Sequence, residues 1–281
     1  MSAYAVIGHP IGHTMSPFIH KRLFALSGID AAYTTRDIAP ENLARELPRL
    51  LETVGGVNVT IPHKQAVIPL LTRLEGRAAI YRSVNTIAVT GEGPVGHNTD
   101  AAGFLHALRE GGAALAGRVA ILGCGGVGRT FACEAALAGC AVVNAVRPAD
   151  RSAAEALRQF VLELAPGVDY TIVELEELNG AFDLLINATP VGMYPHSDAM
   201  PVSAAALEKA AAVFDAVYNP RRTRLLEAAA ANGAVAIGGM AMLVWQAADA
   251  QTIWLGTRFD PAAVAGVIEE SLAEMERVFH A

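Results

Sequence analysis

At 281 residues, 53% hydrophobic and 17% charged, the chain is long for a single core and suits two domains or one large α/β unit. Its 21 basic and 28 acidic residues leave a net charge of −7 with no basic run of five or more, which argues against a nucleic-acid partner. The opening residues lack the basic n-region of a signal peptide, and no apolar run approaches the roughly eighteen residues of a membrane span. Cys124, Cys133 and Cys140 form no CxxC pair, so a reducing, cytoplasmic setting is expected.

In chain order, residues 3–8 read as a short strand. A helix follows, its start marked by Ser16 as a capping hydroxyl and Pro17 at the first helical position. His9 and His13 are separated by Pro10 and Gly12, which exclude the helix that would make them a metal pair; no metal site is expected. A strand over 33–38, a helix over 41–51 and a strand over 55–61 come next, and the alternation predicts parallel pairing through crossovers. Alternation also places Asn58 and Thr60 on one strand face, with Lys64 near the start of a following helix, where the macrodipole would favour loss of its proton. Thr86 to Val89 and Pro94 to His97 form a hairpin around Gly91-Glu92-Gly93. Asp100 opens the helix over 101–110 and is either its N-cap or a carboxylate partner for Lys64. Gly111-Gly112 reads as a hinge.

The second half repeats the alternation, with strands at 118–122, 141–146, 169–173, 183–187, 212–217 and 234–237 and helices at 127–138, 152–164 and 223–231. Two long helical patterns close the chain from Met240, broken at Gly256 and Asp260-Pro261. Between the first of these strands and its helix lies Gly123-Cys124-Gly125-Gly126-Val127-Gly128. The first glycine of this GxGxxG permits the tight turn and the second lets backbone approach a pyrophosphate. The third lets helix and strand close up, and the helix N-terminus faces the anion. A purely structural glycine turn is the alternative. After the strand at 141–146, Arg147 and Arg151 could clamp a 2′-phosphate, whereas Asp150 could serve a ribose diol.

Seven motifs in unbroken order resemble the shikimate dehydrogenase family. They are Gly8 to Pro17, Asn58 to Lys64, Val84-Asn85-Thr86, Asn98-Thr99-Asp100, Ile186 to Met193, Asp215 to Pro220, and Gly239 to Ala247. The resemblance implies an enzyme interconverting 3-dehydroshikimate and shikimate with NADP, or with NAD in a quinate-accepting relative. It implies Lys64 and Asp100 as the catalytic pair, and Thr14 and Ser16 on the substrate carboxylate. Thr60, Asn85, Asp100 and Gln246 would hold the ring hydroxyls, with Tyr218 alongside. Gly123, Gly125, Gly126, Val127, Gly128, Arg147, Arg151, Thr189 and Gly239 would bind the cofactor. The expected architecture is an open α/β substrate domain over 1–100, a doubly wound Rossmann domain over 101–237, and C-terminal helices over 238–281 returning to the first. A monomer or homodimer with a small-molecule substrate is expected. Four positions depart from the family pattern: Thr14 stands for serine, Ala101 for glycine, and Arg82-Ser83 for Gly-Ala. They leave shikimate, quinate and an amino-substituted relative open as substrates. A ligand-sensing protein of the same fold without turnover is the rival of another class.

Overall fold

The computed structural model of the chain describes residues 2–12 and 14–279. It divides into two units, Met1–Gly103 with Val244–Glu274, and Phe104–Leu243 with Met275–Ala281. The chain passes from one to the other inside a helix, not at Gly111-Gly112. Among the described residues, no helix is long and apolar enough to cross a membrane.

The first unit carries strands β1 (Ser2–Gly8), β2 (Ala31–Asp37), β3 (Gly56–Val59), β4 (Arg73–Leu74), β5 (Thr86–Thr90) and β6 (Gly93–His97), in the order β2-β1-β3-β5-β6-β4. β1 pairs parallel with β2 and β3, while β5 pairs antiparallel with β3 and with its hairpin partner β6. Helices α1 (Ser16–Leu26), α2 (Leu43–Leu51) and α3 (Arg77–Tyr81) make the connections. The buried face of β1, β3 and β5 packs Ile7, Val57, Val59 and Ile87 against Leu43, Leu47 and Leu51, which recur every four residues along α2. From the far end of the chain, Trp254 donates its indole N–H to the Ile87 carbonyl at 2.9 Å. A Cβ on Gly56 would lie 2.2 Å from the Trp254 ring, so only glycine fits beneath it.

Two local expectations fail here. Ser16 does not cap α1: it is already the first helical residue, and the Thr14 hydroxyl accepts its N–H at 3.2 Å. Residues 61–67 are turns leading into a short 3-10 segment, not an α-helix. One i→i−4 bond, Val67 N–H to the His63 carbonyl, forms there among i→i−3 turns, while the Lys64 carbonyl is taken by the Val84 N–H at 2.7 Å. Lys64 therefore has no helix dipole behind it.

The second unit is a six-stranded, fully parallel sheet. Its strands are β7 (Arg118–Leu122), β8 (Ala141–Val146), β9 (Tyr170–Glu174), β10 (Phe182–Asn187), β11 (Ala210–Asp215) and β12 (Val235–Gly238), in the order β12-β11-β10-β7-β8-β9. This is the doubly wound order with its reversal between β7 and β10, beyond whose carboxyl ends ligands bind in such sheets. The remaining helices are α4 (Asp100–Glu110), α5 (Gly126–Leu137), α6 (Arg151–Leu164), α7 (Arg224–Ala231), α8 (Met240–Leu255) and α9 (Pro261–Phe279). The strands read as near-continuous apolar runs because both faces are covered. Phe104, Phe131 and Phe214 meet in a buried aromatic cluster on one side of the sheet.

Candidate active site

In the first unit the polar residues of four motifs converge. The Lys64 ammonium donates to Asp100 Oδ2 at 2.7 Å, with the lysine side chain 10% and the aspartate 1% exposed. Asp100 does not act as an N-cap; it is the first residue of α4, and Asn98 Oδ1 accepts its N–H at 3.1 Å. Its carboxylate is thereby left to Lys64 and to Asn85, whose amide reaches Asp100 Oδ1 at 3.0 Å. The same amide lies 3.0 Å from Thr99 Oγ1 and 3.1 Å from Gln246 Oε1. Thr99 donates to the Gln246 main-chain carbonyl at 2.9 Å, which fixes α8 against this cluster. Asn85 and Gln246, 161 residues apart in sequence, thus share one hydrogen-bond network.

Beside it, Thr14 Oγ1 donates to Ser16 Oγ at 3.0 Å. Ser16 also bonds the Tyr33 phenol, which burial holds well above its ordinary pKa, and Tyr33 donates to Asn58 Oδ1 at 2.7 Å. Asn58 in turn donates to Thr86 Oγ1 and to the Asn85 carbonyl. Thr60 lies one residue past the end of β3, its N–H on the Ile7 carbonyl and its methyl against Gly8. His20 stacks on Tyr33 with ring centroids 4.1 Å apart, and burial lowers its pKa to about 3, so it is a neutral support. The arrangement offers one cation, one carboxylate and many neutral donors and acceptors, which suits a small hydroxylated acid.

In the second unit the glycine loop has the tight turn and the close helix–strand packing that the spacing anticipates. Gly123 sits at φ +91 with its N–H on the Ala145 carbonyl, and a Cβ there would press on Thr189. A Cβ on Gly128 would lie 2.7 Å from the Gly123 carbonyl oxygen, so the helix could not close on the strand with any larger residue. A Cβ on Gly125, by contrast, would meet nothing within 4 Å. The second glycine is therefore not needed for packing, and its open surface fits the approach of a pyrophosphate. No side chain caps α5 and no acid lies in its first turn, so the N–H groups at 126–128, Val127 included, have no intrahelical partner and favour an anion.

Thr189 follows β10 and gives both its N–H and its hydroxyl to Asn187 Oδ1. Asn187 then donates to Asp215, which also accepts from Thr223 Oγ1 at 2.6 Å and the Val217 N–H. Burial raises the Asp215 pKa to about 6 against the pull of these bonds. A Cβ on Gly239 would lie 2.5 Å from the Ala216 carbonyl, so this glycine permits a close crossing of two chain segments. Tyr218 is half-buried on the loop after β11 and belongs to this second unit. Arg147 is exposed and pairs with Asp150, and Arg151 with Glu155.

Sequence reasoning gave no role to Asn144. Fully buried in β8, it donates to the carbonyls of Ile121 and Gly123, both at 3.0 Å, and accepts from Tyr170 on β9. It pins the first turn of the glycine loop to the neighbouring strand. A lone amide inside Ala141-Val142-Val143-Asn144-Ala145-Val146 was the available clue, since a buried polar group must find partners.

Residues 6–87 match the family model described as the shikimate dehydrogenase substrate binding domain. A shikimate dehydrogenase (NADP(+)) of Methanothermobacter thermautotrophicus is 37% identical over 256 residues, covering 89% of this chain and 90% of its own. One from Methanopyrus kandleri is 40% identical over 259 residues, covering 89% of each. The crystal structure of shikimate 5-dehydrogenase from Thermus thermophilus in complex with NADP(H) and shikimate superposes with a TM-score of 0.85 at 34% identity. That match covers 97% of this chain and all of the other.

Proposed function

The chain belongs to the shikimate dehydrogenase family, and from that premise we propose how its own residues carry out the NADP-dependent interconversion of shikimate and 3-dehydroshikimate. The observation that carries the proposal is the buried Lys64–Asp100 pair, tied through Asn85 to Gln246. A solvated lysine needs no such burial, and a passive binder of a hydroxy acid needs no ion pair at its centre.

The first unit takes the substrate. Thr14 and Ser16 donate to the carboxylate, while Thr60, Asn85, Asp100 and Gln246 satisfy the ring hydroxyls. A site lined by such groups rejects analogues that lack the hydroxyls, because its buried polar atoms would be left unpaired. NADP, when bound, takes up or gives the hydride, and residues 123–128, Arg147, Arg151, Thr189 and Gly239 are those that would hold it. The hydroxyl proton is handled by the chain. In oxidation Lys64, entering as the neutral amine, accepts it from the carbinol oxygen and becomes the ammonium; in reduction the ammonium returns it to the oxygen that becomes the hydroxyl. Asp100 keeps the lysine aimed at that oxygen and accepts from a ring hydroxyl. The protein works as a monomer or homodimer in the cytoplasm, consistent with its three free cysteines.

An NAD-preferring quinate/shikimate dehydrogenase is the second reading, and it has Asp150, four residues past β8, in its favour. A steady-state matrix of shikimate and quinate against NADP and NAD tests both. The highest kcat/KM is expected for shikimate with NADP; a maximum at quinate with NAD would overturn the first reading in favour of the second.

A further inference from the structure

Each of the two arginines past β8 already has an acidic partner on its Nε. Arg147 Nε donates to Asp150 Oδ2 at 2.6 Å, and Arg151 Nε to Glu155 Oε1 at 3.4 Å. The first pair stands at the edge of the dinucleotide loop. Gly123 is hydrogen-bonded to Ala145 two residues before Arg147, and the Cys124 thiol faces the Asp150 carbonyl at 3.9 Å. Both charges are felt at that loop: the Cys124 thiol is pushed up by burial and then by Asp150, and pulled back by Arg147.

We propose that Asp150 is a specificity-determining residue. It competes with an adenosine 2′-phosphate for Arg147 and so narrows the margin by which this chain prefers NADP to NAD. The inference rests on the reading of Arg147 as the 2′-phosphate ligand. The phosphate must share the guanidinium with a carboxylate of its own sign already on Nε, whereas a 2′-hydroxyl meets no such repulsion. The pair is exposed, with Arg147 70% and Asp150 35% open to solvent, so removing the negative charge spares the fold while changing the local field.

Adenosine 2′,5′-bisphosphate and adenosine 5′-monophosphate, titrated calorimetrically at low salt into the full chain, separate the outcomes without turnover. Asp150→Asn should tighten the bisphosphate about fivefold, the size of a unit charge acting through water on a nearby phosphate. It should leave the monophosphate within about twofold, a margin that the weak net worth of exposed pairs allows. Arg147→Ala should weaken the bisphosphate alone. If Asp150→Asn moves both probes equally, or weakens the monophosphate, Asp150 holds the ribose diol and the proposal is overturned while Arg147 keeps its role. If Arg147→Ala leaves the bisphosphate unchanged, the 2′-phosphate reading itself falls and the proposal with it.

Discussion

Lys64, the side chain to which the proton chemistry is proposed to fall, shows how little of a residue's placement is local. Its ammonium is held by Asp100, thirty-six residues on, and its main-chain carbonyl by Val84. Replacing it with alanine should lower kcat by two or more orders of magnitude, roughly the contribution of general acid–base catalysis, with KM for shikimate little changed. Near wild-type turnover by Lys64→Ala in a stopped-flow assay would remove the assigned role. Arg82 carries a different kind of information. It caps α3 at φ 53 and ψ 45, the left-handed region, and among the described residues it is the one non-glycine at positive φ. The glycine the family pattern has at this position is thereby explained. Arg82→Gly should relieve strain of about 1–2 kcal/mol, offset by about 0.5–1 kcal/mol of added chain entropy. The expected result is a chemical-denaturation midpoint raised slightly or unchanged; a clear fall would show that the arginine side chain makes good the strain.

Elements differed in how plainly they could be read. The parallel sheet was legible because each strand, covered on both faces, is an apolar run bounded by turn residues. The glycine loop was legible because sterics leave few residue types for its positions. The helix expected after Lys64 was not there, since Pro62 and the bond from the Val84 N–H to the Lys64 carbonyl hold that segment in turns. β4, two residues long, is set by pairing with β6 and leaves no pattern of its own. The interlock at the ends of β10 and β11 appeared in the sequence only as two separate motifs, since Asn187 and Asp215 meet through space. That interlock has a pH signature. The Asp215 carboxyl titrates near 6 in the fold, against 3.8 for the free group, so the native state holds its proton where the unfolded chain does not. The stability linked to it is complete below 3.8 and is lost as the pH rises through about 6. Between those values the wild type should lose about 1.4 kcal/mol per pH unit relative to Asp215→Asn. Urea unfolding of both proteins across that range measures the difference; parallel stability curves would mean that the carboxyl does not titrate there.

At the scale of the whole molecule, the first unit is built from both ends of the sequence and the second mostly from the stretch between them. The sequence showed that Gln246 would have to return to Asn85, but the motif alone could not show what else comes with it. Gln251 reaches His20, and Trp254 fills the space over Gly56. On a ribosome this sets an order of events. β1 to β6 emerge first yet lack the helix that covers them, so they must wait through the synthesis of another hundred and forty residues, 104–243, while that stretch can complete its own sheet. A chain truncated after Leu243 should therefore gain protease resistance in 104–243 and remain open to cleavage within 2–103. Ability to hold substrate arrives with the last helices to be made, long after the lysine proposed to act on it.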